Sequence, residues 1–121
     1  MSFKQYKVNH QHRGLLPIHQ KSQWRISEED EIALFIKAKN NQWFCPKKHL
    51  WSIDDNFIII GEDFVGSLYI AKFWEDQGEW HGFPLSPKQH FNRPPTNAIK
   101  EWVDKKIIRK RIGSKMAQGQ F

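Results

Sequence analysis

The chain has 121 residues, of which 39% are hydrophobic and 14% aromatic, and its formal net charge at pH 7 is +6. A chain of this length is expected to fold as one domain, and its six tryptophans exclude a wholly disordered chain. The single cysteine excludes an internal disulfide framework. The first residues contain no apolar run typical of a signal peptide or membrane span. We therefore expect a cytoplasmic protein without membrane contact, or one exported by a route that leaves no hydrophobic signal.

Charge is divided unevenly along the chain. Residues 1–26 carry five basic and no acidic side chains, residues 27–85 carry five basic and eleven acidic, and residues 86–121 carry nine basic and two acidic. Two basic ends around an acidic centre indicate that the ends meet a polyanion or an acidic partner surface. The acidic centre could instead neutralise a basic end of the same molecule, which would remove this reason to expect nucleic-acid binding.

Residues 1–23 show no helical or strand periodicity, so we expect an irregular basic N-terminal arm followed by a single α+β domain over residues 24–121. The apolar run 15–18 is expected to attach the arm to the domain, whereas its cations, Arg13 among them, are expected in solvent. A solvated basic terminus without a specific partner is the alternative interpretation.

The first regular element predicted is a helix from about residue 28 to residue 39. Ser27 supplies an N-cap hydroxyl, and the four carboxylates that follow it suit the positive end of a helix dipole. Ile32, Phe35 and Ile36 then recur at the spacing of one helix face.

Antiparallel strands joined by polar turns are predicted next. The predicted strands are residues 51–53, 57–60, 65–74 and 79–85. The continuously apolar segment 57–60 predicts a central strand that forms a hairpin with 51–53. Pro84 predicts that the last strand lies at a sheet edge, because proline has no N–H to donate.

Two helices are predicted after a proline-containing loop. Thr96 or Asn97 is expected to cap the first, and the second runs from Lys106 to Met116, although Gly113 weakens it. The expected fold class is therefore α+β: a small antiparallel sheet of three or four strands, one N-terminal helix and a C-terminal helix pair. Tryptophans are expected to bridge the sheet to Trp102.

The second C-terminal helix carries a dense basic cluster. If it is continuous, Lys106 lies beside Lys110 and Arg111 lies beside Lys115, which suits contacts to successive phosphates. The layout is also that of a helix-turn-helix, but no turn signature accompanies it. A solvated charged face and docking on an acidic protein are the alternatives. The predicted nucleic-acid-binding residues are Lys105, Lys106, Arg109, Lys110, Arg111 and Lys115.

Trp80, His81 and Phe83 form a second candidate site. Strand alternation places Trp80 on the face opposite the other two. The ring pair could stack on a nucleobase, or His81 could transfer protons as in small metal-independent ribonucleases. The structural interpretation, which we favour, is that these are core residues of an edge strand in which Gly82 relieves crowding.

No motif in the chain names a reaction. Glycine-rich phosphate loops and metalloprotease helix motifs are absent, and the histidines lack metal-ligand spacing, so we expect no catalytic residue, cofactor or metal. The leading hypothesis is a small intracellular, non-catalytic protein whose basic termini bind nucleic acid or another polyanion. The alternatives are a metal-independent, toxin-type ribonuclease that uses His81, and a protein-partner module of immunity, adaptor or inhibitor type.

Overall fold

The computed structural model describes residues 6–88 and 92–121. Its strands and helices are β1 (Gln23–Trp24), α1 (Glu28–Asn40), β2 (Leu50–Ile53), β3 (Gly61–Glu62), β4 (Ser67–Leu68), β5 (Ile70–Asp76), β6 (Glu79–Leu85), α2 (Thr96–Asp104) and α3 (Lys110–Ala117). The predicted α+β class, with one N-terminal helix and a C-terminal helix pair, is confirmed. The strands form two three-stranded antiparallel sheets, in the orders β1-β3-β4 and β2-β5-β6. Within the described residues, no helix is both long and apolar enough to cross a membrane.

Helix α1 begins where the sequence predicts. The Ser27 hydroxyl accepts a hydrogen bond from the Asp30 N–H at 3.1 Å and caps the first turn. Its buried residues are Glu31, Leu34, Phe35 and Ala38. This face is rotated from the predicted one because the helix packs on the larger sheet through Phe35, whose ring centroid lies 5.5 Å from Phe73 and 5.4 Å from Trp80.

The larger sheet is built around the β5–β6 hairpin. A two-residue turn at 77–78 joins the strands, and both residues have positive φ (52° and 83°), as a type I′ turn requires. Strand β5 pairs with β2 on its other side. Strand β6 is therefore an edge strand, as Pro84 predicted, and its outer side meets the arm through an isolated bridge between Tyr6 and Trp80.

The prediction of a central strand at 57–60 is wrong. Phe57 adopts a φ of 49°, which turns the chain away from β2, and the two isoleucines after it are 49% and 46% exposed. Only Ile60 makes strand-like contacts, because its N–H donates to the Leu68 carbonyl at 2.8 Å. Strand β5 takes the place beside β2 that the predicted hairpin assigned to this segment.

The apolar run predicted as one strand over 65–74 contributes to both sheets. Strand β4 pairs with β3, and after Tyr69 the chain continues as β5 in the larger sheet. The segment 61–63, which separates two of the predicted strands and was expected to be a turn, begins as strand β3, because Gly61 lies opposite Leu68 in that pairing. The two sheets therefore share a corner at Tyr69.

A left-handed residue separates the two C-terminal helices. Lys106 has a φ of 61°, and its N–H donates to the Val103 carbonyl at 2.9 Å. The Ile107 N–H donates to the Trp102 carbonyl, also at 2.9 Å, which completes a Schellman motif. The predicted start of the second helix at Lys106 is therefore wrong, and α3 begins at residue 110. The predicted cap of the first helix is also wrong, because the N-cap residue of α2 is Pro95 and Thr96 is already helical.

The helix pair joins the common core. Trp102 is fully buried and meets Trp43 edge to face with ring centroids 5.6 Å apart. Trp43 lies between α1 and β2 and not in a strand, so the expected bridge from tryptophans of the sheet to Trp102 stays a prediction. Gly113 permits close packing of α3 on α2, because a Cβ at this position would lie 2.9 Å from the Val103 Cγ2 atom.

Buried polar residues attach the arm to the domain. The Tyr6 hydroxyl donates to Glu31, which is 0% exposed, and Arg13 forms an ion pair with the same carboxylate at 2.7 Å. His12 is also buried. Leu15, expected to contact the domain, is instead 67% exposed, and the Arg13 side chain, expected in solvent, is only 17% exposed.

Candidate nucleic-acid interface

The acidic centre neutralises part of the N-terminal basic arm. Arg13 pairs with Glu31, and Arg25 pairs with Glu62, each with an N–O distance of 2.7 Å. One cation of the arm and one that follows it are therefore engaged by carboxylates of the acidic segment. The arm consequently offers less free positive charge to a polyanion than its sequence implies.

Lys105 has partners within the protein. Its ammonium group lies 2.8 Å from the Glu101 carboxylate, donates to the Asn41 side-chain oxygen at 3.0 Å and lies 5.7 Å from the Trp43 ring centroid. The hydrogen bond from Lys105 lowers the pKa of Glu101. These contacts join the end of α2 to the end of α1, so Lys105 has a structural role among the six predicted cations.

The other five predicted cations form no ion pair with any residue of the described segments. We define them as the α2–α3 cationic surface, which consists of Lys106, Arg109, Lys110, Arg111 and Lys115. Three of them, Lys106, Arg109 and Lys110, line an open hollow of about 550 Å³ at the junction of the two helices. Arg111 and Lys115 lie one turn apart on α3, as predicted. Lys106 and Lys110 both line the hollow, but they are not neighbours on one helix because Lys106 precedes α3.

The placement of these cations disfavours folding locally. Arg109 is the N-cap residue of α3, and Lys110 and Arg111 follow it at the positive end of the helix dipole, with no acidic side chain in the first turn. Cations at this end of a helix are destabilising by roughly 0.3–1 kcal/mol each. Lys106 occupies the left-handed conformation in which glycine is usual. Folding stability therefore does not explain why four basic residues lie here.

The structure separates the members of the second candidate site, as strand alternation predicted. Trp80 is buried against α1, with the Lys39 ammonium 5.2 Å from its ring centroid. His81 and Phe83 lie on the opposite face of the sheet, where both rings contact Trp74 at centroid distances of 5.6 and 5.4 Å. One ligand cannot contact all three predicted residues on the same face.

His81 lies in an aromatic environment on that face. Its Nδ1 atom is buried and has no hydrogen-bond partner within residues 6–88 and 92–121. Over the same residues, no three histidine, cysteine or carboxylate side chains lie close enough together to hold a metal ion. The ribonuclease hypothesis for His81 stays a prediction.

A cleft of about 710 Å³ was not foreseen from the sequence. Three segments that are distant along the chain form most of its walls, namely 18–22, 63–69 and 83–86. Lys88, Asn92 and Phe121 complete the lining. Phe83 is the one residue of the two predicted sites that lines it. No local motif could have revealed the cleft, because it exists only where the arm meets the corner between the sheets.

Comparison of the chain with protein-family models, with curated proteins and with solved structures finds no match in any of the three. The inference of function therefore depends on the chemistry of the surfaces described above.

Proposed function

We propose that this protein binds nucleic acid through the α2–α3 cationic surface. The observation that carries the proposal is that five cations gathered at one helix junction have no ion-pair partner within the described chain. Three of them surround one hollow, which gives a phosphate group several cations to approach at once. The unfavourable local placement of these residues is consistent with a role in binding.

The expected mode of recognition is contact with the phosphate backbone. Lysine and arginine contacts to phosphate give affinity and little sequence discrimination, and the released counterions make binding strongly salt-dependent. The C-terminal end is expected to dominate, because Arg13 and Arg25 of the N-terminal basic segment 1–26 are already paired with carboxylates. This narrows the hypothesis drawn from the sequence, in which both basic ends took part.

The first test reverses three charges of the surface. In Arg109→Glu/Lys110→Glu/Arg111→Glu, we expect the affinity for a fluorescently labelled DNA duplex or RNA strand to fall at least about 100-fold at low salt, because three phosphate contacts become repulsive. All three side chains are exposed, and carboxylates suit this end of α3, so the thermal midpoint should not fall and any loss of binding is not a loss of folding. Fluorescence anisotropy over a salt series measures the affinity.

The matched control is Lys7→Glu/Lys47→Glu/Lys48→Glu. These three lysines are also exposed, lie outside the surface and form no ion pair with described residues. Either triple variant changes the formal net charge from +6 to 0, so a general charge effect would weaken both equally. Equal loss in the two variants, or retained binding in the first, would contradict the proposal.

A separate experiment tests the ribonuclease alternative. The RNA is incubated with wild type and with His81→Ala, and a gel shows whether it is cleaved.

The second test separates binding from stability at Lys106. We expect Lys106→Gly to raise the free energy of unfolding by about 1 kcal/mol, because glycine adopts the left-handed conformation without steric cost. The same change removes one cation from the hollow and should weaken nucleic-acid binding severalfold, with a shallower salt dependence. Urea unfolding and fluorescence anisotropy measure the two effects.

Lys48→Gly is the control for this substitution. Lys48 is also an exposed lysine with positive φ (65°), but it lies in the loop before β2. It should show the same gain in stability without the loss of affinity. If both variants bind nucleic acid as wild type does, Lys106 does not belong to the interface.

A further inference from the structure

The cleft between the arm and the sheet corner has the composition of a small-molecule site. Its volume of about 710 Å³ lies within the range of ligand sites in proteins. Its walls come mainly from the arm, the β3–β4 hairpin with Tyr69, and the end of β6, and Lys88, Asn92 and Phe121 complete them. It is separate from the α2–α3 cationic surface, since the two share no lining residue.

Aromatic rings line the cleft and part of this aromatic surface is exposed. Phe64, in the turn between β3 and β4, is 73% exposed although it is a large apolar residue. Tyr69 and Phe121 meet edge to face at 5.4 Å and line the same space. Phe83 is held against His12 by stacking at 5.4 Å. Three of these rings are thus held by neighbouring rings, and a planar ligand could cover the exposed one.

The charged groups of the cleft favour an anion. Lys21 and Lys88 are exposed, line the cleft and form no ion pair with a described residue. The one acidic side chain in the lining is Asp63, whose carboxylate accepts hydrogen bonds at 2.9 Å from the N–H groups of Val65 and Gly66. That carboxylate is therefore engaged in its own turn, whereas both ammonium groups are available to a ligand.

We propose that this cleft binds a small aromatic anion of the nucleoside monophosphate class. The exposed ring of Phe64 stacks on the base, and Lys21 and Lys88 neutralise the phosphate. The proposal is independent of nucleic-acid binding by the α2–α3 cationic surface, because it uses other residues. A ligand here also bridges the arm and the domain, so its binding stabilises their contact.

Isothermal titration calorimetry with AMP, adenosine and inorganic phosphate tests the site. We expect one AMP per chain, with adenosine and phosphate each at least about tenfold weaker, because each lacks one of the two recognised groups. Phe64→Ala should weaken AMP binding at least about tenfold. Lys21→Gln/Lys88→Gln should weaken AMP binding and leave adenosine binding unchanged. The controls are Ile58→Ala, an exposed apolar truncation outside the cleft, and Lys48→Gln.

Each contrary result overturns a stated part of the proposal. If AMP does not bind at about 5 mM, or if Phe64→Ala binds AMP as wild type does, the proposed site does not exist. Equal affinities for AMP and adenosine would show that the cleft does not recognise the phosphate. Equal affinities for AMP and inorganic phosphate would show that it does not recognise the base. The triple variant of Arg109, Lys110 and Arg111 should bind AMP as wild type does, and Phe64→Ala should bind duplex DNA as wild type does. Failure of one site is thereby distinguished from failure of the other.

Discussion

Gly82→Ala is expected to lower the free energy of unfolding by about 3 kcal/mol and the thermal midpoint by roughly 10 °C. Gly82 lies on the core face of β6, directly against the Phe73 ring, which a Cβ at this position would overlap. The same Cβ would lie 2.8 Å from the Tyr6 hydroxyl oxygen, which holds the arm to Glu31. The added methyl group therefore disturbs the core and the attachment of the arm together.

Thermal and urea unfolding measure this effect against Gly66→Ala. A Cβ added at Gly66 would meet no atom within 4 Å, and this glycine has no positive φ, so its substitution should change stability by less than about 0.5 kcal/mol. Combining Gly82→Ala with Phe73→Leu should recover part of the loss, because the smaller side chain makes room for the methyl group. If Gly82→Ala is as stable as Gly66→Ala, this close contact does not contribute to the fold.

Arg13→Ala is expected to lower the free energy of unfolding by about 3–5 kcal/mol at pH 7. Glu31 has no solvent exposure, and Arg13 donates to its Oε1 atom through Nη2 at 2.7 Å and through Nε at 3.0 Å. The truncation leaves a buried carboxylate with the Tyr6 hydroxyl as its remaining donor among the described contacts. It also removes the hydrogen bond from Arg13 to the Ile26 carbonyl.

The size of this loss is expected to depend on pH. Burial raises the pKa of Glu31, and hydrogen bonds from Tyr6 and Arg13 partly offset the rise, so the pKa rises further without Arg13. A carboxyl group with a raised pKa in the folded state contributes stability below its unfolded pKa and loses that contribution as pH rises through the folded pKa. The loss of unfolding free energy in Arg13→Ala, relative to wild type, should therefore be smallest near about pH 4 and should grow toward neutral pH.

The matched control is Arg25→Ala, which breaks a second arginine–glutamate pair that is not buried. Arg25 and Glu62 are 50% and 45% exposed, and such pairs contribute at most about 1 kcal/mol. Adding Glu31→Gln to Arg13→Ala should remove the pH dependence, because the buried group can no longer ionise. A deficit for Arg13→Ala that is the same at pH 4 and pH 7 would show that the buried charge is not its cause.

Elements defined by local chemistry were predictable. The Ser27 cap accepts from an N–H of the first turn of α1, and the four carboxylates that suit the helix dipole lie in that same turn. The β5–β6 hairpin closes through adjacent residues. Pro84 marked the edge strand because its missing donor is a property of one residue. The segment 57–60 was mispredicted because an apolar run suits a strand, and the sequence carries no local sign that Phe57 takes a left-handed conformation.

The candidate interface was predictable as a set of residues but not as a geometry. The abundance of cations over 105–115 is visible in the sequence. The structure divides these cations into two groups. Lys105 is engaged by Glu101 and Asn41, whereas the other five form no ion pair in the described chain. This division depends on how α1 and α2 are placed, which the sequence does not show. The start of α3 at residue 110 depends on the left-handed Lys106, at a place where glycine would have been the usual signal.

By itself, the sequence determined the α+β class, the first helix, the edge strand, and the accumulation of positive charge at the C-terminal end. These follow from residue types and from interactions between near neighbours in the chain. Only the tertiary structure decided that Arg13 and Tyr6 meet a buried Glu31, that one apolar run serves two sheets, and that three distant segments form a cleft. These contacts join residues that are far apart along the chain, and their stability depends on burial and charge pairing that no single segment encodes.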